Sequence, residues 1–190
     1  VSSGNIDSMV AHYTSAKKKR SDDAYSAGNK AGKRPDRAVI VYCQKIRKIY
    51  GNEVPILIGG LEASLRRFAH YDYWDDKVRR SILMDSRADI LIYGMGERAM
   101  LEIAEALEAG IRASDIGWIR GTCVRAKSAE KGGSLLVDAE DVILPPYENI
   151  KDDTTEGKAS FNKSFALQYR SNDSVTGKRL LEEYPGGTFV

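Results

Sequence analysis

The chain has 190 residues and a formal net charge of +2, which suits one domain with a substantial core and an appendage. No apolar run approaches the ~20 residues that cross a bilayer, and no secretory signal is visible, which argues against membrane-spanning and exported classes. The charge is uneven, because residues 10–37 hold eight basic and three acidic side chains. We therefore expect a cytoplasmic protein with a basic N-terminal segment.

The first 36 residues are polar and predict loops with one short helix around residues 6–19. The basic side chains of residues 10–37 are Lys17, Lys18, Lys19, Arg20, Lys30, Lys33, Arg34 and Arg37. Such a run is most simply a solvated surface, although its charge can also attract an anionic partner such as RNA. No recognised RNA-binding signature accompanies it, which favours the simpler interpretation.

The next part of the chain alternates helices and strands. Asp36 is predicted to cap a helix with an apolar stripe, and Gly51 is predicted to end it. A buried strand at residues 54–58 follows, and then helical stretches at residues 62–69 and 77–85.

A second apolar strand is predicted at residues 89–93, after which Gly94 turns the chain into another helix. The predicted apolar face of that helix is Met100, Ile103, Ala104 and Leu107. Helices that alternate with continuously apolar strands indicate a parallel sheet covered on both faces. The predicted fold is therefore α/β and Rossmann-like, with an open parallel sheet of the flavodoxin-like or cobalamin-binding-domain-like type.

The pattern changes after residue 110. Residues 121–126 and 134–138 predict a hairpin, and the prolines at 145 and 146 predict an extended exit. A helical appendage follows, with a second helix at residues 175–184. The predicted domains are residues 1–36 (a basic segment of the same domain), 37–150 (the α/β domain with its hairpin) and 151–190 (a helical linker).

The two cysteines, Cys43 and Cys123, are far apart in sequence and predict buried thiols in a reduced compartment. A disulfide or a metal site is the less simple alternative. We therefore predict no metal-binding residues in this chain.

Two glycine turns follow the predicted strands, at the sheet edge where open parallel sheets bind ligands. The first is Gly59-Gly60-Leu61-Glu62-Ala63-Ser64, in which Gly59, Gly60, Glu62 and Ser64 are candidate ligand residues. The simpler alternative is that the glycines permit close packing and that Glu62 is a helix-terminal residue.

The second turn contains Gly94, Gly96 and Glu97, which are candidates for the same site. Its sequence fits Gly-x-Gly-x-x-Ala, the pattern of a dinucleotide-binding turn. However, Glu97 places a carboxylate where a pyrophosphate would bind, and no acidic residue ends a following strand. We therefore do not expect dinucleotide binding.

Residues 66–80 combine aromatic and basic side chains at high density. The candidate residues in this aromatic–arginine segment are Arg66, Arg67, His70, Tyr71, Tyr73, Trp74, Lys77 and Arg79. Rings beside guanidinium groups can stack on an adenine or on RNA bases, and a histidine can exchange protons near neutral pH. Such residues also form interdomain surfaces, where the aspartates of the segment would pair with the arginines. We rank an interdomain surface first, substrate contact second and nucleic acid third.

Several of these runs occur in the order of one known family. They are Gly4-Asn5-Ile6-Asp7-Ser8-Met9, Gly32-Lys33-Arg34-Pro35-Asp36-Arg37, Ile58-Gly59-Gly60-Leu61-Glu62-Ala63-Ser64-Leu65-Arg66-Arg67, Ala69-His70-Tyr71-Asp72-Tyr73-Trp74 and Tyr93-Gly94-Met95-Gly96-Glu97-Arg98. The chain resembles the N-terminal region of the YgiQ-type radical-SAM proteins, a family of uncharacterised bacterial proteins. Both of its ends also read as parts of strands, which agrees with a piece of a longer protein.

The resemblance implies that a C-terminal radical-SAM barrel follows, carrying a 4Fe-4S cluster on Cys-x-x-x-Cys-x-x-Cys and binding S-adenosylmethionine. That motif is absent here, since two cysteines cannot form a three-thiolate loop. The glycine turn at Gly94 also resembles cobalamin-binding-like domains. Neither His12 nor His70 lies in the Asp-x-His-x-x-Gly motif that binds cobalt, so we expect no cofactor in this chain.

Two functions follow as expectations. The first is an accessory or substrate-presenting domain of a radical-SAM enzyme of unknown substrate, which is not catalytic alone and whose partner is its own barrel. The second is a stand-alone nucleotide- or RNA-binding module that uses residues 66–80.

Overall fold

The structure is a computed structural model that describes residues 1–169 and 177–190, and the chain divides into two compact units. Unit 1 comprises Val1–Arg67 and Ile82–Val124, and unit 2 comprises Phe68–Ser81 and Arg125–Val190. The boundaries predicted at residues 36 and 150 stay predictions.

The elements of both units are short. Over the described residues the α-helices are α1 (Ser8–His12), α2 (Ala38–Tyr50), α3 (Leu61–Leu65), α4 (Ile82–Ser86), α5 (Glu97–Glu108), α6 (Tyr147–Ile150) and α7 (Thr155–Tyr169). The strands are β1 (Leu57–Ile58), β2 (His70–Asp72), β3 (Lys77–Arg79), β4 (Ile90–Ile92), β5 (Thr122–Val124), β6 (Ala126–Lys127), β7 (Val142–Ile143), β8 (Leu180–Leu181), β9 (Glu183–Tyr184) and β10 (Thr188–Phe189). Single 3₁₀ turns lie at Ala27–Asn29, Ala113–Asp115 and Ala129–Lys131.

Unit 1 contains a three-stranded mixed sheet with the order β1-β4-β5. β1 runs parallel to β4, with Leu57 opposite Ile90, whereas β5 runs antiparallel to β4, with Cys123 opposite Leu91. The α/β class is confirmed, but the expectation of a wholly parallel sheet is wrong. The chain that follows α5 buries Ile116 in the core and reaches the carboxyl end of β4 before β5 begins, so β5 enters from the opposite direction.

The core of unit 1 forms where α5 packs against β4. Its buried side chains are Ile90, Ile92, Ala99, Ile103, Ala106, Ile116 and Ile119. Ile103 was predicted correctly, but Met100 and Ala104 are exposed, and the buried stripe instead uses Ala99 and Ala106. Small side chains let the helix approach the sheet closely, so the buried face of α5 cannot be predicted from its largest apolar residues alone.

The start of α2 differs from the prediction. The N-cap residue is Arg37, which has a left-handed φ of 51° and no capping side chain of its own. The predicted cap, Asp36, accepts hydrogen bonds from the Tyr13 hydroxyl and the His12 ring instead. Gly51 ends the helix as predicted.

Unit 2 begins with an antiparallel hairpin of β2 and β3, in which Tyr71 lies opposite Val78. The helical stretch predicted at residues 77–85 is wrong over Lys77–Arg79, and the helix predicted at residues 62–69 ends at Leu65. The Asp72 carboxylate accepts the N–H groups of Trp74 and Asp75, which turns the chain back on itself.

The rest of unit 2 contains the sheet β6-β10-β9 and the parallel pair β7-β8. The hairpin predicted from residues 121–126 and 134–138 is wrong, because β5 pairs with β4 and β6 pairs with β10. Strands β8 and β9 replace the later part of the helix predicted at residues 175–184. Its first two residues lie outside the described part of the chain.

Candidate functional site

A cavity of about 690 Å³ in unit 1 lies beside β1 and the turns that follow β1 and β4. Its lining includes five residues that were predicted from the sequence as candidates for a ligand site, namely Gly59, Gly60, Gly94, Gly96 and Glu97. Side chains of Ile46 from α2, Ile92 from β4 and Met100 from α5 make its walls largely apolar. This is the carboxyl edge of the parallel pair, where a ligand site is expected.

Two of these glycines allow close packing. Gly60 has a φ of +84°, and a Cβ atom there would lie 2.4 Å from Ser2 Oγ. A Cβ atom on Gly96 would lie 2.7 Å from Cγ2 of Ile92. Close packing therefore explains why glycine occupies these two positions, and no ligand is needed to explain it.

Replacing Gly60 by alanine is expected to lower the free energy of unfolding by about 2 kcal/mol, because the left-handed backbone and the Ser2 contact both oppose a side chain. Gly94→Ala is the matched control, since its φ is +70° but nothing lies within 4 Å of the added Cβ atom. Its expected cost is about 1 kcal/mol. Urea unfolding of both variants measures the difference, and equal losses would contradict the packing explanation.

Among the described residues that line the cavity, Glu97 is the one with an acidic side chain, and it is exposed in the first turn of α5. Its carboxylate already lies at the positive end of the helix dipole, where a phosphate would otherwise bind. The cavity therefore suits an apolar group better than a pyrophosphate.

Glu62 lies outside the residues that line the cavity and is buried, with 1% of its surface exposed. Its Oε2 accepts the N–H of Ser8 at 2.9 Å, and its Oε1 accepts the N–H of Val39 at 3.2 Å. The N–H of Ala38 donates to Ser8 Oγ at 3.0 Å. One carboxylate thus binds the first turns of both α1 and α2, which explains why α2 needs no capping side chain of its own.

Arg66 and Arg67 belong to unit 1 and are held there. Arg66 forms an ion pair with the buried Asp7 and donates to the carbonyl of Glu62. The Arg67 guanidinium lies 5.1 Å from the centroid of the Tyr93 ring and donates to the carbonyl of Ser64 at 2.8 Å. Ser64 contributes this carbonyl and is half-buried.

The other candidates of the aromatic–arginine segment lie on the hairpin of unit 2, which we call the aromatic hairpin (Phe68–Ser81). Tyr71 and Tyr73 are 49% and 47% exposed, and the ring of half-buried Trp74 meets that of Tyr73 edge-on at 5.3 Å. Arg79 donates to Asp75 at 3.0 Å, as the ion-pair alternative predicted. The hairpin therefore presents rings on a turn whose charges are already paired.

Further side chains hold the aromatic hairpin. The Tyr71 hydroxyl donates to Asp76, and this bond raises the pKa of Tyr71. Lys77 is exposed, with its Nζ 3.8 Å from Asp75, and half-buried His70 has its Nδ1 3.2 Å from the Phe68 carbonyl oxygen. These contacts fix the hairpin locally.

The two ends of the aromatic hairpin bind one buried pair of side chains that the sequence did not indicate. The N–H of Ala69 donates to Glu182 Oε2 at 2.8 Å, and the N–H of Ser81 donates to the Tyr184 hydroxyl oxygen at 2.8 Å. The Tyr184 hydroxyl in turn donates to Glu182. Nothing in the local sequence distinguishes Glu182, because two adjacent glutamates, Glu182 and Glu183, predict a solvent-exposed surface.

The environment of Glu182 is unusual for a carboxyl group. The side chain is fully buried, and its Oε1 has no hydrogen-bond partner among the described residues. Burial raises the pKa of Glu182 to about 7, against the opposing effect of the hydrogen bonds from Tyr184 and Ala69. The carboxyl group therefore changes charge near neutral pH.

Both cysteines lie in unit 1. Cys43 and Cys123 are both buried free thiols, and burial raises the pKa of Cys43 to about 11. Within residues 1–169 and 177–190, no group of three or more histidine, cysteine or acidic side chains is placed to hold a metal ion. In the same ranges no helix is both long enough and apolar enough to span a bilayer.

Comparison with known proteins identifies relatives over the whole chain. The family model described as "Radical SAM N-terminal" matches residues 1–190. A UPF0313 protein of Clostridium botulinum (strain ATCC 19397) is 50% identical over 184 residues, which cover 97% of this chain and 27% of that protein. A UPF0313 protein of Clostridium perfringens (strain SM101) is 47% identical over 186 residues, or 98% of this chain and 27% of that protein. The chain therefore spans about a quarter of the length of these relatives, and no solved structure matches it.

Proposed function

Because this chain belongs to the radical-SAM N-terminal family, we propose that it is the accessory part of a longer enzyme that uses a 4Fe-4S cluster and S-adenosylmethionine. In this proposal the cluster-binding barrel lies outside residues 1–190, and the chain is not catalytic alone. The two buried thiols and the much greater length of the relatives support it. The proposal also includes a flavodoxin-like or cobalamin-domain-like fold for unit 1, supported by the parallel pair β1-β4 and the glycine turns that follow β1 and β4.

The aromatic hairpin is the observation that carries the proposal. It exposes Tyr71 and Tyr73 while its ends are tied to Glu182 and Tyr184. Exposed rings on a preformed turn are suited to being covered by another protein surface, since little conformational entropy is lost on docking. We therefore assign the hairpin to contact with the barrel, as one wall of the substrate site.

The rival function, RNA binding through residues 66–80, has less support. It requires guanidinium groups interleaved with exposed rings. Arg66 and Arg67, however, are engaged by Asp7 and Tyr93 in unit 1.

Hydrogen exchange of the full-length protein, compared with this 190-residue chain, tests the contact. We expect the amides of residues 71–74 to exchange at least about tenfold more slowly in the full-length protein, because the barrel covers them. A Tyr73→Ala variant of the full-length protein should reduce that protection, whereas Tyr50→Ala, at an exposed tyrosine of α2, should not.

Equal exchange of residues 71–74 in both proteins would contradict the docking role. A separate measurement tests which part of the protein binds the cluster. A stoichiometric iron–sulfur chromophore in this chain after anaerobic reconstitution would contradict the assignment of the cluster to the rest of the protein.

A further inference from the structure

The loop at residues 22–34 of unit 1 is organised around one buried carboxylate. Asp23 Oδ1 accepts the N–H of Tyr25 at 2.9 Å and Nη2 of Arg34 at 2.8 Å. Its Oδ2 accepts the Ser26 hydroxyl at 2.7 Å and Nε of Arg34 at 2.9 Å. Burial acts to raise the pKa of Asp23, but these hydrogen bonds outweigh it and hold the pKa below its ordinary value. The loop therefore has a defined shape with Arg34 fixed inside it.

Arg34 supports an exposed aromatic ring. Its guanidinium carbon lies 5.6 Å from the centroid of the Tyr25 ring, in a cation–π arrangement. Tyr25 is nevertheless 62% exposed. A ring that is backed by an ordered arginine and open to solvent is preorganised to stack against a flat ligand.

Two lysines follow Tyr25 in the same loop. Lys30 pairs across the loop with Asp22 in an isolated antiparallel bridge, and Lys33 Nζ donates to the Ala27 carbonyl at 3.2 Å. Both lysines are exposed. Lys30 and Lys33 follow Tyr25 by five and eight residues, so the loop that holds the stacking ring also carries cations for the phosphates of a bound strand.

A second source of positive charge directly precedes the loop. Residues 12–20 fold back on themselves through hydrogen bonds from Arg20 N–H to the His12 carbonyl and from Thr14 N–H to the Lys18 carbonyl, both 2.8 Å. This turn exposes Lys17, Lys18, Lys19 and Arg20. Residues 10–37 hold eight basic and three acidic side chains, so their field stays positive although Arg34 is paired with Asp23.

We propose that residues 12–34 bind single-stranded nucleic acid, with one base stacked on Tyr25 and phosphates neutralised by Lys30, Lys33 and the run at residues 17–20. A polymer fits better than a mononucleotide, because basic side chains both precede and follow Tyr25 in the chain and outnumber the phosphates of a mononucleotide. This site uses residues of unit 1, whereas the aromatic hairpin belongs to unit 2, and it goes beyond the accessory function proposed above.

Fluorescence anisotropy with labelled oligouridylate and oligothymidylate of about 15 nucleotides tests the site in this chain, between about 50 and 200 mM salt. Tyr25→Ala should weaken binding by about 5- to 100-fold, because it removes one stacked base. Tyr25→Phe should bind like the natural chain. The double variant Lys30→Gln/Lys33→Gln should reduce the slope of log affinity against log salt by about 1.4, which is the loss of two phosphate contacts. Tyr50→Ala is the matched control, as Tyr50 is 52% exposed on α2.

Circular dichroism of Tyr25→Ala and Tyr50→Ala checks that both variants fold like the natural chain. Tyr25→Phe keeps the aromatic ring and removes only the hydroxyl group. The proposal is overturned if neither oligonucleotide binds at the lowest salt, or if Tyr25→Ala and Tyr50→Ala bind alike. An unchanged salt slope in the lysine variant, or competition by a mononucleotide as strong as that by the oligonucleotide, would also overturn it.

Discussion

Glu62→Ala is expected to lower the free energy of unfolding of unit 1 by roughly 2–6 kcal/mol. The substitution removes the acceptor of the Ser8 and Val39 N–H groups, which lie at the starts of α1 and α2. Each buried N–H that loses its partner costs about 1–3 kcal/mol. Urea unfolding followed by far-ultraviolet circular dichroism measures the loss.

Glu97→Ala is the matched control for this prediction. Glu97 also stands in the first helical turn after a glycine turn, but it is exposed. Its removal should cost less than about 0.5 kcal/mol. If the two alanine variants lost similar stability, the bridging role of Glu62 between α1 and α2 would be wrong.

Glu182→Gln is expected to abolish a pH dependence of the stability of unit 2. Because the pKa of Glu182 is raised from 4.5 to about 7, the folded chain keeps a proton that the unfolded chain loses in this window. The stabilising effect of protonation is therefore present at low pH and is lost as the pH rises from about 4.5 to 7. The loss amounts to about 3 kcal/mol, and glutamine, which does not ionise here, should show none of it.

The two tryptophans allow unit 2 to be followed separately, since Trp74 lies in unit 2 and Trp118 in unit 1. Urea unfolding would be monitored by Trp74 fluorescence in a Trp118→Phe background at several pH values. Glu183→Gln is the control, because this neighbouring carboxylate is exposed. Stability of unit 2 that rises with pH over the window, or the same pH profile in Glu182→Gln, would refute the assignment.

The two glutamates after the glycine turns show what a local sequence pattern can and cannot predict. Glu62 and Glu97 occupy equivalent places, and the sequence made both candidates for a ligand site while leaving a structural role open for Glu62. In the structure Glu62 meets backbone groups of α1 and α2, and Glu97 stays at the surface beside the cavity. The difference arises from segments distant in the chain, and no local pattern reports it.

The aromatic hairpin is a second case. Its density of aromatic rings and charges is apparent from the sequence, which therefore predicts a contact surface here. Its β conformation was missed, because the turn depends on the Asp72 carboxylate capturing two N–H groups instead of continuing a helix.

By itself, the sequence determined the α/β class, the succession of β1, α3, β4 and α5, and the family, because short apolar runs, glycine turns and long identical motifs are local properties. Tertiary structure alone decided the antiparallel course of β5, the burial of Glu182 and the role of Glu62. The physical reason is separation along the chain. Ser8 and Glu62 are 54 residues apart, and Ala69 and Glu182 are 113 residues apart. Whether such a carboxylate is solvated or buried against backbone N–H groups depends on packing that no window of sequence contains.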